Sequence, residues 1–192
     1  MKEKPEHTGP IKRDSNVALG AEAQIAALGP EKAVEMGVVT GREALEWLAR
    51  NGDYVFHGTD RKLAHLEPRQ QMQFNPQTGE NIPDGEPAVC AARSIDPAIF
   101  MGVLRGHGAA GKGSHSGWGG SADRWRFYAT ADMLDSARHA EEPGYVHVFD
   151  AANFEHHRGD EWRSYADVEP VYVIPVAWRD MPEGVETADP AF

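Results

Sequence analysis

The chain has 192 residues, of which 41% are hydrophobic and 26% charged, a composition typical of a globular protein with a real core. Its formal net charge of −11 argues against non-specific binding to nucleic acid, and its single cysteine, Cys90, excludes an internal disulfide and a cysteine-cluster zinc site. No apolar run approaches the ~20 residues that span a bilayer, and the first residues lack the apolar core of a signal peptide, so we expect a cytoplasmic protein with no membrane partner.

The first 52 residues are expected to form a helical section after a loose start. Residues 1–16 are polar and contain two prolines, which predicts a loose tail. Thr40 is followed three residues later by Glu43, the spacing of a capping box, and therefore predicts a helix N-terminus. Within the helical section, residues 17–52, three helices are expected to start near Val17, at Pro30 and after Thr40, and to end at Gly29, Gly37 and Asn51.

Residues 53–180 interleave short strands with a few short helices. We predict strands at 54–56, 88–91, 125–130, 145–149, 171–174 and 176–178, and helices at 95–104 and 131–140 that Asp96 and Thr130 cap. The punctuated segments 60–88, 102–120 and 151–162 predict loops, and the acidic residues 181–192 a frayed tail. Pro170 and Pro175 indicate a sheet edge or a bulge. Few, short helices favour an α+β fold over a doubly wound sheet.

Three short patterns have simple structural explanations. Residues 106–111 read GHGAAG and match G-x-G-x-x-G, but the segment before them is helical, so the pattern predicts a flexible loop and not a dinucleotide site. The nine histidines include the adjacent pair His156 and His157 but no H-E-x-x-H motif, and we predict no metal site. Cys90 lies in a short apolar run and is interpreted as a small buried hydrophobe and not as a nucleophile.

One segment combines three chemically useful residues at the end of a strand. Residues 54–59 read YVFHGT: His57 can donate a hydrogen bond at neutral pH, Gly58 lets a ligand approach the backbone, and Thr59 adds a hydroxyl. This segment, with the LEP sequence at 66–68, resembles the opening of mono-ADP-ribosyltransferases of the diphtheria-toxin and poly(ADP-ribose) polymerase type, most closely the small rifampin ADP-ribosyltransferases. Residues 144–149 and 163–178 are similar to later strands of those enzymes, so the resemblance covers roughly residues 54–178.

The resemblance implies an ADP-ribosyltransferase-like domain over residues 53–180, built of split antiparallel β-sheets, with NAD as co-substrate. It implies that His57 binds the nicotinamide-side ribose and that the backbone of Gly58 binds the nicotinamide carboxamide, with Thr59 beside them and Arg69 as a further NAD-binding residue. A carboxamide needs one donor and one acceptor, which a bare glycine backbone offers at close range.

Two further residues of the implied site have competing candidates. The family carries an aromatic residue, usually tyrosine, that stacks on nicotinamide; Tyr128 is our candidate, although Cys90 stands at the matching distance from His57. The family also carries an acidic residue that stabilises the positive charge developing on the ribose. Glu155 is our candidate, with Asp160 and Glu161 as rivals.

The implied reaction moves ADP-ribose from NAD to an acceptor and releases nicotinamide. The acceptor stays open among a protein side chain, a nucleic-acid base and a small molecule, as for toxins or antibiotic-modifying enzymes. The alternative is a degenerate, non-catalytic member of the fold that binds a partner protein, which the missing aromatic at Cys90 and the acidic surface favour. An RNA 2′-phosphotransferase-like activity is disfavoured by the acidic balance.

Overall fold

A computed structural model of the chain describes residues 20–75, 77–105, 114–120 and 124–189, and it has a mixed α+β architecture in which the strands pair mainly antiparallel. The helices are α1 (Ala21–Leu28), α2 (Pro30–Glu35), α3 (Gly41–Asn51), α4 (Ile95–Arg105) and α5 (Ala131–Arg138). The strands are β1 (Tyr54–Thr59), β2 (Met72–Asn75), β3 (Glu80–Pro83), β4 (Val89–Ala92), β5 (Ser116–Gly119), β6 (Arg126–Thr130), β7 (Gly144–Asp150), β8 (Glu155–Arg158), β9 (Glu161–Ser164), β10 (Tyr172–Val176) and β11 (Glu186–Ala188). No helix in the described ranges is long and apolar enough to cross a membrane.

The three N-terminal helices confirm the helical section from Ala21 onward, while the predicted loose tail lies outside the described residues. Thr40 forms the expected capping box, because its hydroxyl accepts from the Glu43 amide at 3.1 Å and its own amide donates to the Glu43 carboxylate at 2.7 Å. The apolar stripe of α3 is buried and packs into the main core. Local sequence signals therefore determine this part of the chain.

A six-stranded sheet forms the centre of the fold, with the order β10-β7-β1-β4-β9-β8. Its two faces bury separate cores, since alternate residues of a strand point to opposite sides. Phe56 and Val148 belong to the larger core, which includes the N-terminal helices and α4, while Val55 and Phe149 belong to the smaller core under Leu66. Strand β1 is the middle of this arrangement and pairs with β7 over its full length.

Glycines let α4 pack directly on β1 and β7. A Cβ atom at Gly58 would lie 2.6 Å from the backbone nitrogen of Gly102 and 2.8 Å from the carbonyl carbon of Ala98, both in α4. A Cβ atom at Gly144 would overlap the carbonyl group of Gly102. Backbone atoms cannot rotate away as side chains can, so close helix–sheet packing requires glycine at these positions.

Several predicted loops and ends contain strands. The segment 60–88 holds the hairpin β2–β3, the segment 102–120 holds β5, and the segment 151–162 holds a 3₁₀ turn at Ala151–Asn153, β8 and the start of β9. Strand β8, with the sequence EHHR, is exposed at all four positions. Edge strands of this kind lack the apolar alternation that sequence reasoning depends on, so the loop predictions were wrong there.

The C-terminal part also differs from the prediction. One strand, β10, replaces the two predicted at 171–174 and 176–178, and it carries Pro175 at the sheet edge, as the proline rule predicts. The predicted frayed tail contains β11, which pairs in parallel with β6. Strand β1 extends through Thr59, so His57 lies inside a strand, and α4 begins at Ile95, so Asp96 lies in its first turn instead of capping it.

Candidate functional site

A cleft of about 540 Å³ opens beside the ends of β1 and β4. Its volume lies in the range of small-molecule sites. Six parts of the fold contribute lining residues: Phe56, His57 and Gly58 of β1; Cys90, Ala91 and Ala92 of β4; Pro97, Ala98 and Met101 of α4; Gln71, Met72 and Asp84 of the hairpin; Trp118, Gly120 and Trp125 around β5; and Arg158, Gly159, Asp160 and Glu161 of the β8–β9 turn.

Strands β1 and β4 of the central sheet are paired at a single position beside the cleft. Strand β1 pairs with β4 only at Phe56 opposite Ala92, and the ring of His57 reaches β4, where its Nδ1 lies 2.6 Å from the Cys90 carbonyl oxygen. A carbonyl can only accept, so Nδ1 of His57 carries the proton and donates it. In the neutral ring Nε2 is then a hydrogen-bond acceptor.

Gly58 lines the cleft, as the sequence interpretation requires, but the structure also supplies a packing reason for a glycine there. Its side-chain direction faces the α4 backbone at Ala98 and Gly102. The glycine therefore serves close packing whether or not a ligand approaches its backbone groups.

Two arginines hold the Glu161 carboxylate at the cleft. Its Oε1 accepts from Nε of Arg163 at 2.7 Å, its Oε2 accepts from Nε of Arg158 at 3.1 Å, and the Cys90 thiol lies 3.5 Å from Oε1. Burial alone would raise the pKa of Glu161, but the hydrogen bonds and charges of Arg163 and Arg158 outweigh it and lower the pKa. Glu161 is therefore ionised at neutral pH.

Arg163 connects this carboxylate to the hairpin. Its side chain is 2% exposed, and its guanidinium donates to the carbonyl and the carboxylate of Asp84, both at 2.8 Å, as well as to Glu161. Burial would lower the pKa of Arg163, but its hydrogen bonds to Glu161 and Asp84 prevail and raise it. Burial alone would raise the pKa of Asp84, but its contacts with Arg163 and Arg158 prevail and lower it. The four charged groups thus neutralise one another.

The three carboxylates proposed from the sequence lie in different surroundings. Glu155 is exposed on β8 and is not among the lining residues, whereas Asp160 and Glu161 both line the cleft. Asp160 accepts a hydrogen bond from the Ser94 amide at 2.9 Å, which ties the β8–β9 turn to the start of α4. The geometry therefore favours Glu161 over Glu155 as the residue that could act on a ligand beside His57.

Tyr128 does not line the cleft. It is 41% exposed on β6 and lies over Gly117 of β5, next to His115. Instead Trp118 and Trp125 supply the aromatic surface of the cleft. Sequence reasoning missed both, although Trp118 stands out as a large side chain in the Gly- and Ser-rich segment 113–120.

Of the remaining predicted residues, Thr59 and Arg69 do not line the cleft, whereas Cys90 does. Thr59 donates through its hydroxyl to Asp60 at 3.2 Å, and Arg69 is exposed, with its backbone paired to Ala88. Cys90 is half-buried, and burial together with the Glu161 charge raises the pKa of its thiol to about 11. A thiol that is neutral at pH 7 is a poor nucleophile, which agrees with the interpretation of Cys90 as a small hydrophobe.

Metal binding has no evident site among the described ranges. No group of three or more His, Cys, Asp or Glu side chains there is arranged to hold a metal ion. The segment 106–111, which we predicted to be a flexible loop, lies outside those ranges.

Comparison with known proteins does not assign the chain to a family. The chain matches no family model, and neither a curated protein nor a solved structure matches it at a significant level. The residues of the cleft are therefore the basis for inferring a function.

Proposed function

We propose that this chain is an NAD-dependent mono-ADP-ribosyltransferase and that the cleft binds NAD. One observation carries the proposal: His57 and Gly58, from the segment that resembles those enzymes, line the same cleft as the ionised Glu161. The residues are distant in sequence and come from β1 and β9. Their convergence matches the chemistry of breaking a glycosidic bond, which needs a ribose-binding group and a nearby negative charge.

Each residue has a defined role in this proposal. The His57 side chain hydrogen-bonds the nicotinamide-side ribose, and backbone groups of Gly58 bind the nicotinamide carboxamide. As the bond between the ribose C1′ and nicotinamide breaks, the bonding electron pair leaves with nicotinamide and positive charge develops on the ribose. Glu161 stabilises that charge, and the acceptor then bonds to C1′ and loses a proton. Trp118 supplies an aromatic face that the Cys90 position lacks.

The test is nicotinamide release from NAD by purified protein, together with calorimetric titration of NAD. We expect His57→Ala to lower turnover at least tenfold and Glu161→Gln about 100-fold, the scale of a lost electrostatic contact in a transition state. Glu155→Gln is the matched control, because it removes an exposed carboxylate that does not line the cleft. If Glu155→Gln lowers turnover and Glu161→Gln does not, the assignment of the carboxylate is reversed.

A second candidate is a non-catalytic module that binds a partner protein through the cleft. Two observations favour it: Glu161 is paired with two arginines, and Met72 and Trp118 leave 54% and 42% of their surfaces exposed at the cleft. Calorimetry separates the candidates, since absence of NAD binding at millimolar concentration supports the module. The enzyme requires a compartment that supplies NAD, and for that reason we place the protein in the cytoplasm.

A further inference from the structure

Arg163 is a buried cation with three separate attachments. Its guanidinium contacts the Glu161 carboxylate, the Asp84 carboxylate and the Asp84 carbonyl, all within 2.8 Å. A buried charge is tolerated only when it is paired and hydrogen-bonded, and removing one partner is strongly destabilising. The position of this guanidinium is therefore fixed by two elements that are far apart in the sequence.

One of those elements is the β2–β3 hairpin. Its two strands form a separate sheet, and an isolated two-stranded hairpin is at best marginally stable in water. Asp84 lies directly after β3, and its amide donates to the carbonyl of Gln71 at 2.9 Å, so Asp84 marks the base of the hairpin. Gln71 and Met72, at the start of the hairpin, line the cleft. The attachment of Asp84 thus determines whether this wall of the cleft is in place.

The other element is β9, which carries both Arg163 and Glu161. The two side chains lie two residues apart on one strand and so point to the same face, where Arg163 reaches the carboxylate of its neighbour. Glu161 also contacts Arg158, but Arg158 is 57% exposed and its ion pairs are screened by water. The buried Arg163 is therefore the stronger determinant of where the Glu161 carboxylate lies.

We propose that Arg163 is a positioning residue that couples the hairpin to Glu161, so that the hairpin wall and the cleft carboxylate are held together by one buried cation. The role assigned to Glu161 rests on the proposed transferase function, whereas the coupling itself is a property of the fold. The lowered pKa values of Asp84 and Glu161 support it, because both partners stay ionised at neutral pH.

The test compares Arg163→Met with Arg158→Met, two variants that each remove a guanidinium contacting both Asp84 and Glu161, one buried and one exposed. Amide hydrogen exchange of residues 72–83 measures the local stability of the hairpin, and a carbon-13 NMR titration measures the pKa of the Glu161 carboxyl. We expect Arg163→Met to accelerate hairpin exchange at least tenfold and to raise the Glu161 pKa, with Arg163→Lys intermediate. Arg158→Met should change the exchange less than threefold.

The coupling would be overturned if Arg163→Met and Arg158→Met had equal effects. It would also be overturned if Arg163→Met changed only the hairpin exchange or only the Glu161 pKa. If Arg163→Met does not fold, Asp84→Ala tests the hairpin end, with Glu80→Ala, an exposed acid of the same hairpin, as control. Unchanged hairpin exchange in Asp84→Ala then overturns the proposal. None of these measurements needs NAD, so absence of nicotinamide release by the wild-type protein would refute the transferase function alone. With turnover present, Arg163→Met should lower it at least tenfold.

Discussion

Replacing Gly58 by alanine should destabilise the protein by forcing α4 away from β1. The new Cβ atom would overlap the carbonyl oxygen of Ala98 and lie 2.6 Å from the Gly102 nitrogen, whereas ordinary contact begins at 3.4 Å, so the helix must retreat by more than about 0.8 Å. Ile99 and Phe100 of α4 are fully buried, and a gap of this size forfeits a quarter to a half of each atomic contact it opens. Overpacking of this kind costs about 1–3 kcal/mol, and we expect the upper end because both obstructing groups are backbone.

Urea unfolding followed by circular dichroism measures the effect. A loss of about 3 kcal/mol corresponds to a melting temperature lower by about 6–12 °C in a protein of this size. Gly119→Ala is the matched control, since Gly119 also lies in a strand but a Cβ atom there meets nothing within 4 Å. Its stability should stay within about 0.5 kcal/mol of wild type.

The contrary result is informative. If Gly58→Ala is as stable as Gly119→Ala, the packing explanation of Gly58 is wrong. If that stable variant also loses NAD binding, the glycine is there for close approach of a ligand, as the sequence interpretation holds.

Two further predictions concern titratable groups. Burial lowers the pKa of His147 from 6.5 to about 4, so the folded state binds its proton less readily than the unfolded state, and stability is lost as the pH falls from 6.5 towards 4. Between pH 7 and pH 5 the free energy of unfolding should fall by about 2 kcal/mol because of this group. His147→Gln should abolish that fall, whereas the control His65→Gln, at an exposed histidine, should retain it. Urea unfolding at both pH values measures the difference. An unchanged pH dependence in His147→Gln would contradict the assignment. The Cys90 thiol, with a pKa of about 11, should react with iodoacetamide at pH 8 at least tenfold more slowly in the folded protein than in urea, and equal rates would show that it is neither buried nor affected by Glu161.

The parts of the fold that could be predicted are those with strong local signals. The capping box at Thr40 and Glu43 fixed the start of α3, and the alternating residues at 145–149 identified β7. The hairpin β2–β3 and strand β8 escaped prediction because they expose most of their residues and bury few apolar side chains. Their pairing depends on neighbours that are distant in the sequence, and such partners leave no periodic pattern.

Some residues of the candidate site were also predictable from local sequence, and others were not. His57 and Gly58 were identifiable from a local motif, and both line the cleft. The choice among Glu155, Asp160 and Glu161 was open in the sequence, because the three lie within six positions of one another and the direction of each side chain depends on the strand register. The pairing of β8 with β9 leaves Glu155 exposed at the edge and brings Glu161 to the cleft. The proposed stacking residue Tyr128 stays outside the cleft, and Trp118 lies there instead.

By itself the sequence determined the α+β class, the N-terminal helices and the strand that carries His57, because capping, helix stops and alternation act over a few residues. Only the tertiary structure decided that α4 occupies the space beside Gly58, that β9 brings Glu161 to the cleft that His57 lines, and that the buried Arg163 joins Asp84 to Glu161. Two of these contacts join residues far apart in the sequence: Gly58 and Ala98 are 40 positions apart, and Asp84 and Arg163 are 79 positions apart. Which distant residues come into contact depends on packing and on the pairing of buried charges, and no local sequence pattern predicts either.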